Sequence, residues 1–526
     1  VTEPAGDPGV PVYPDELAVG DVVEVRVDAV AHGGHCVARY GGRVVFVRLG
    51  LPGEQVRVRL TEVRPASFCR GEVVEVLVPH PDRVEAPCVH FRPGGCGGCD
   101  FQHAAGPLQR ELKGAVVAEQ LRRLAGLDVA VTVQALPDAI LETGPDAAPD
   151  TGPDTAQGGV APGFGWRTRV RWALDADGRI GPRAVRSHRV VPVSRDRPCL
   201  IAAPGFSEAA AVLDVPPGVR DAPVRPGPDD RQAVAGPGGA AGVPETEEDD
   251  RGAGGRPEQD RGTGGRPEQD RPTGGGPARD RRRRPDRRSE RGRGGDRGRG
   301  TVRGRAADRG RRRSALPEVI LVQAPDGEVR SAWPGEDARL VVEQAAGRDW
   351  QVAGDGFWQV HPAAPQVLAD AVRAALGDAD IRSAWDLYGG VGLFAAVLAD
   401  VVGPGGSVVS VEGDRHAAEL AAANLADLPG VRTVRGAVAD VVADLPDRVD
   451  AVVLDPPRTG AGPALCREMA LREPAVLVYV ACDPAALGRD AAALAGAGYR
   501  LDGLAAFDCF PQTHHVECVA RFVPAG

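Results

Sequence analysis

The sequence predicts an α/β protein whose C-terminal part, residues 356–526, is a doubly wound, mainly parallel sheet, preceded by a small β-barrel and a cysteine-bearing central region. Three observations predict it. Short continuous apolar runs alternate with Ala/Leu-rich helical stretches towards the C-terminus, the pattern of strands buried on both faces. Short alternating runs divided by Gly-rich turns fill residues 15–78, as in a small barrel. Cys88, Cys96 and Cys99 cluster between the two in a Gly-rich loop.

Length and composition set the frame. A chain of 526 residues holds two to four domains at about 100–200 residues each. Gly and Pro number 70 and 47, or 22 % of the chain, against roughly 12 % on average, so unpacked stretches are expected beside the folded ones. The net charge of −10 conceals a segregation. Residues 279–313 hold 17 Arg against five acids, a local +12, which leaves −22 for the remainder. Whole-chain charge therefore does not argue against a nucleic-acid partner. No apolar run reaches the roughly 18–20 residues of a membrane span. The first 14 residues are acidic and Pro-rich, without an apolar leader core. Ten unevenly spaced cysteines without an export signal point to metal ligands or a catalytic thiol rather than to disulfides, and the chain is expected to be cytoplasmic and monomeric.

Taken in order, Val22, Val25 and Val27 open the barrel, Val44–Val47 follow the Gly41-Gly42 turn, and Val56 and Val58 alternate with Arg57 and Arg59. Arg39, Arg43, Arg48, Arg57 and Arg59 are candidate phosphate contacts. Residues 79–203 form the central region, with a helical stretch over "GPLQRELKGAVVAEQLRRLAG", a surface insertion near 137–162, and a hairpin or meander around "RTRVRWALDADGRIG". Residues 204–314, with a decaying ten-residue repeat and an Arg/Gly/Asp tract, lack the apolar content that would offset the entropy of ordering, so most of the stretch is expected to be disordered. Residues 315–355 complete the central region.

The chemistry-bearing motifs fall at strand ends, where ligands bind in this architecture. "DLYGGVGLF" (386–394) turns a strand into a helix through glycines that let the backbone approach a ligand. Glu412 stands twenty residues after Gly392 at the next strand end, placed to accept the ribose hydroxyls of an adenosine. The pair indicates S-adenosylmethionine or a dinucleotide. Asp455 ends another apolar strand before Pro-Pro; Arg458 follows, where an enzyme acting on an exocyclic amine would carry an aromatic. Cys482 leaves an apolar strand directly before Asp-Pro at the functional rim, where it reads either as a nucleophile or as a small core thiol. Glu517, after His514 and His515, is a candidate base at the start of the last strand. Cys88, Cys96, Cys99 and the distant Cys199 offer four soft thiolates to a [4Fe–4S] cluster or to zinc. Cys36, Cys69, Cys466, Cys509 and Cys518 read as core or incidental residues.

The ordered series "GFWQVHP", "DLYGGVGLF", "VEGD", "LDPPR", "VYVACDPAALGRD" and "FPQTHHVE" resembles the bacterial RNA uracil-5-methyltransferases, and "AHGGHCVARYGGRVVFVRLGLPGE" resembles the TRAM domain, an OB-like RNA-binding barrel. The resemblance covers the chain outside the insertions near 137–162 and 204–314. It implies a class I methyltransferase sheet, an RNA substrate, and an S-adenosylmethionine pocket lined by Gln359, Tyr388, Glu412 and Asp455. It also implies Cys482 as nucleophile, Glu517 as general base, and a [4Fe–4S] cluster, in preference to zinc, on Cys88, Cys96, Cys99 and Cys199. Thiolate addition at uracil C6 makes C5 nucleophilic enough to take the methyl group. A base held out of its stack is required. 23S ribosomal RNA is expected ahead of transfer RNA. Leu393 and Asp483 depart from residues common in relatives (Asn in both places); the second adds a charge beside the thiol that would raise its pKa. The alternatives are a cytosine-C5 RNA methyltransferase, which would carry a further cysteine near Arg458 and Thr459, and a non-catalytic RNA-binding protein, disfavoured by Cys482 and Glu517.

Overall fold

A computed structural model describes residues 17–64, 67–137, 161–215, 318–333 and 340–526. The insertion near 137–162, apart from its edges, and most of the 204–314 stretch lie outside the described residues.

The N-terminal strands β1 (Val22–Ala31), β2 (His35–Tyr40), β3 (Arg43–Arg48), β4 (Gln55–Val63) and β5 (Phe68–Val78) close into a barrel in the order β1-β2-β3-β5-β4. Alternation along β1 and β4 puts Val23, Val25, Val27, Val56, Val58 and Leu60 inside. Helix α1 (Gly106–Ala125) starts with Pro107 in its first turn and ends on Gly126 in the left-handed conformation. Its Leu108, Leu112 and Val116, four residues apart, pack on the barrel. Val117 and Leu121, on a second face, pack into the C-terminal sheet layer. One helix thus joins barrel to sheet.

In the central region β7 (Arg169–Leu174) pairs antiparallel with β8 (Ile180–Gly181) and with β9 (Glu318–Gln323), which pairs in turn with β10 (Val329–Ala332). The long intervening stretch is therefore inserted into one sheet. That stretch also begins later than its composition implies. Helix α2 (Phe206–Val212) lies within its first residues, and Phe206 is fully buried edge-on to Trp172. One aromatic supplies the apolar surface that the following residues lack.

The C-terminal sheet is built from β6 (Val133–Ala135), β13 (Ser383–Leu387), β14 (Ser407–Glu412), β15 (Val431–Arg435), β16 (Ala451–Leu454), β17 (Val476–Ala481), β18 (Tyr499–Asp508) and β19 (Glu517–Pro524). Its order is β15-β14-β13-β16-β17-β19-β18-β6, parallel from β15 to β17, with β19 antiparallel to both neighbours. Helices α3 (Ala364–Leu376), α4 (Leu393–Val402), α5 (Arg415–Asn424), α6 (Val438–Val441), α7 (Pro463–Ala470) and α8 (Pro484–Gly496) accompany it. Strand order reverses at β13/β16, so a ligand crevice opens at the C-terminal ends of these strands. This is the expected doubly wound, class I sheet. Its core reaches further than residue 356: Trp350 and Val352, from the hairpin β11 (Leu340–Ala345) and β12 (Arg348–Ala353), pack with Leu368 and Phe394, and β6 extends the sheet beyond β18. Among the described residues no helix is long and apolar enough to cross a membrane.

Candidate active site and cysteine centre

The turn after β13 is shaped by close approach. A Cβ at Gly389 would lie 2.2 Å from Ser410 Oγ and 2.6 Å from Asp386 Oδ2. Gly392 has φ +105° and caps α4. Tyr388 takes φ +65°, a conformation seldom adopted by an aromatic residue, and its side chain is half-buried. Glu412, at the end of β14, accepts hydrogen bonds from Gly390 N (2.9 Å) and Asp414 N (2.6 Å), which locks the carboxylate under the turn while leaving lone pairs for a sugar. Burial raises the pKa of Glu412 above its ordinary value. Beneath the turn Asp386 is fully buried and accepts from Ser410 Oγ at 3.0 Å; burial and then Glu412 push its pKa up to about 7, against the hydroxyl's pull. Gln359 is buried in the segment between β12 and α3, where the neighbouring Val360 carbonyl accepts from Thr168 N at 2.9 Å.

The ends of β16, β17 and β19 bring Asp455, Cys482 and Glu517 into electrostatic contact. Burial, Glu517 and Asp455 raise the Cys482 thiol, and Asp483 adds to this; the Arg458 guanidinium alone opposes them. Burial and then Asp455 push Glu517 well above the usual carboxylate range, again against Arg458. Cys482 opens into a cavity of about 170 Å³. Its walls come from the barrel (Ala31, His32, Gly33), from α1 (Leu112, Lys113, Val116), from Phe101, and from the rim residues Arg458, Asp483, Pro484, His514 and His515.

The loop 509–516 is held from several sides. Lys113, wholly buried, donates to Asp508 Oδ1 (2.5 Å) and to the Phe510 carbonyl (3.0 Å). Gln109 exchanges side-chain and backbone hydrogen bonds with Gln512. Asp100, directly after Cys99, accepts from His514 N (3.0 Å) and lies 2.6 Å from its Nδ1. His515 lies 3.3 Å from Arg458 Nη2, and burial, followed by the positive groups around it, holds it well below its ordinary pKa.

The four cysteines of the central region lie close enough for their charges to interact. Burial raises Cys96 to about 11, helped by Cys199 and Cys88, and raises Cys99 well above its ordinary value, helped by Cys199 and Cys96. Gly98 N donates to Cys96 Sγ at 3.3 Å, and Phe91, Phe164, Trp166, Ile201 and Phe510 wall the site. Arg167 lies close enough to Cys99 and Cys199 for its charge to be felt. A soft, apolar-walled set of four thiols with a nearby cation fits an anionic iron–sulfur cluster. Among the described residues no three His, Cys, Asp or Glu side chains close tightly enough to hold a single metal ion.

One expected phosphate contact is corrected. Arg48 is buried at 6 % exposure, paired with Glu72 at 3.1 Å, and donates to the carbonyls of Cys96 (3.0 Å) and Cys99 (3.1 Å). It fastens the cysteine loop to the barrel and is largely withdrawn from solvent. Arg57 is spent partly on Glu75 at 2.7 Å.

Comparison with known proteins agrees with this geometry. Residues 16–74 match the TRAM domain, and residues 416–522 match the family described as tRNA (Uracil-5-)-methyltransferase. The 23S rRNA (uracil(1939)-C(5))-methyltransferase RlmD of Chromohalobacter salexigens is 31 % identical over 512 residues, covering 95 % of this chain and 90 % of the relative. The chain belongs to the RNA uracil-5-methyltransferase family. An uncharacterized RNA methyltransferase of Streptomyces coelicolor is 40 % identical, covering 98 % of this chain and 96 % of its own. The tRNA (uracil-54, C5)-methyltransferase of Pyrococcus abyssi, solved with S-adenosyl-L-homocysteine, shares the fold at a TM-score of 0.53 and 18 % identity, covering 95 % of this chain and 99 % of its own.

In this methyltransferase several site residues carry no local sequence signal. His32, Asp100, Gln109 and Lys113 reach the rim from positions 395 to 451 residues away in the chain. Asp386 is legible in hindsight, as a carboxylate that ends an apolar strand before a Gly-rich turn. Asp490 is hinted at only as an acid on the apolar side of a helix.

Proposed function

We propose that the chain transfers a methyl group from S-adenosylmethionine to C5 of a uridine in RNA, 23S ribosomal RNA ahead of transfer RNA, through a covalent Cys482–C6 adduct. The observation that carries the reading is the cavity in which Cys482, Arg458 and the rim histidines meet the barrel and α1, next to the carboxylates of Asp455 and Glu517. The methyl donor's adenosine would lie on the 389–392 turn, with its ribose on Glu412, and Gln359, Tyr388 and Asp455 would complete the pocket. The ribosomal preference is supported by the RlmD relative, which matches this chain across barrel, cysteine region and sheet.

The steps follow from the side chains. Cys482 loses its proton to solvent, favoured by Arg458, and its sulfur adds to C6 of the flipped base while the ring electrons move to O4. C5 then takes the methyl group, releasing S-adenosylhomocysteine. Glu517, a stronger base for being buried beside Asp455, removes the C5 proton. The electrons re-form the C5–C6 double bond and expel the thiolate. Cys88, Cys96, Cys99 and Cys199 would hold a [4Fe–4S] cluster whose contribution is to tie the central region together; no step uses it. On the barrel, Phe46 and Phe68 meet edge to face at 5.4 Å, with Arg70 within 5.2 Å of both rings and Arg64 5.1 Å from Phe68, a stacking and cationic surface suited to RNA.

RNA carrying 5-fluorouridine tests the mechanism, because the fluorine cannot leave as a proton does and the adduct accumulates. The wild-type chain should form a denaturant-stable adduct, and Cys482→Ala should form none. An adduct with Cys482→Ala, or none with the wild type, overturns the reading.

A further inference from the structure

The barrel reaches the nucleophile directly. The β1–β2 turn contributes Ala31, His32 and Gly33 to the cavity that holds Cys482, and His32 Nε2 lies 3.0 Å from Asp483 Oδ2. The other carboxylate oxygen of Asp483 accepts from Ala486 N at 2.8 Å and caps α8. One carboxylate, next to the proposed nucleophile, therefore ends a helix with one oxygen and binds the barrel with the other. The placement is tight. A Cβ at Gly34 would meet Asp100 Cγ at 2.8 Å and His514 Cβ at 3.0 Å, so the turn has no room to recede.

We propose that His32 is a positioning residue for Cys482: paired with Asp483, it fixes the first turn behind the nucleophile and supplies the positive charge that offsets the Asp483 carboxylate. The proposal rests on the assignment of Cys482 as nucleophile. Its logic is electrostatic. Three carboxylates, Glu517, Asp455 and Asp483, disfavour the thiolate, and Arg458 was the cation acting against them. His32 stands on the opposite wall, 3.0 Å from Asp483 Oδ2, and forms an ion pair with it when protonated. Asp483 on the α8 turn and Glu119 on α1 act on His32 directly, and Lys113 on α1, Arg458 after β16, and His514 and His515 before β19 line the same cavity. The hydrogen bond to Asp483 raises the His32 pKa and, against burial, lowers that of Asp483, so each favours the charged form of the other. The Asp that departs from the Asn common among relatives thus comes with its own counter-ion, supplied by a different domain.

The test is the pH dependence of adduct formation by the full chain with 5-fluorouridine RNA, in single turnover at saturating RNA. His32→Gln keeps a hydrogen-bonding group but no charge. It should displace the profile to higher pH by about one unit, or about tenfold in rate at a fixed pH below the thiol's pKa. Asp483→Asn should displace the profile the other way. In the Asp483→Asn background His32 has lost the partner that keeps it charged, so adding His32→Gln should change little, a non-additive cycle. A wild-type profile with His32→Gln overturns the proposal, as do additive effects, or a change confined to RNA affinity or to melting temperature. Absence of any adduct with the wild type would instead overturn the nucleophile assignment, so the two failures are distinguishable.

Discussion

Asp490 gives the sharpest test of how the rim is held. It lies on α8, two turns after Cys482, with its side chain fully buried. Oδ2 accepts from Tyr479 Oη (2.7 Å), Ala461 N (2.8 Å) and Gly462 N (3.1 Å), and Oδ1 accepts from Arg489 Nε (2.9 Å). These bonds pin the loop after Asp455-Pro-Pro, which carries Arg458. Asp490→Ala removes every acceptor at once. Arg489 is 42 % exposed and recovers water, and Ala461 N keeps Tyr479 Oη at 3.0 Å. Gly462 N and the Tyr479 O–H are left without acceptors; at about 1–3 kcal/mol for the buried hydroxyl and less for the half-buried amide, the local loss is roughly 1–4 kcal/mol. Tyr479→Phe removes one donor and should cost about 1 kcal/mol. Amide hydrogen exchange at 461 and 462 reads the local opening, and 5-fluorouridine adduct formation reads the consequence for Arg458. With Asp490→Ala those amides should exchange at least tenfold faster and the adduct should form more slowly. If both amides stay protected and the local loss is below about 1 kcal/mol, the hydrogen-bond accounting is refuted.

Other outcomes follow from the same geometry. Gly389→Ala places a Cβ within 2.6 Å of both Ser410 Oγ and Asp386 Oδ2, so the turn must open; calorimetric titration with S-adenosylhomocysteine should show at least a tenfold weaker Kd, and unchanged affinity would mean the ligand does not lie on this turn. Cys199→Ser, in chain purified without oxygen, should lose iron and acid-labile sulfide together with any absorbance near 400 nm, while retained iron at wild-type stoichiometry would exclude Cys199 as a ligand.

The parts legible in sequence are those whose physical cause is local. Continuous apolar runs between helices declare a buried parallel sheet because each such strand is covered on both faces, and the rim motifs are legible because a strand end followed by Gly or Pro has few structural explanations. The barrel was legible from alternation, but its arginines were not sorted by it. Arg48 and Arg57 are both basic residues on barrel strands, and only the fold shows one buried under the cysteine loop and the other paired with Glu75.

The rest was illegible because it arises where distant segments meet. The pocket that receives Cys482 has walls from residues 31–33, 101, 112–116, 458, 482–484 and 514–515, segments spread over almost the whole length of the chain. What brings them together is α1, whose two apolar faces bury against barrel and sheet. Its approach to α8 is so close that a Cβ at Gly488 would meet the Gln120 carbonyl at 2.8 Å. That closeness carries a functional consequence. With α1 fixed against α8, which begins two residues after Cys482, the barrel is braced against that thiol, and under the proposed mechanism an RNA held by the barrel would be presented to it in one register. On that proposal the barrel would be a wall of the active site as well as an RNA-binding appendage, and His32, which lines the cavity with Cys482, would be the residue through which that wall touches the chemistry.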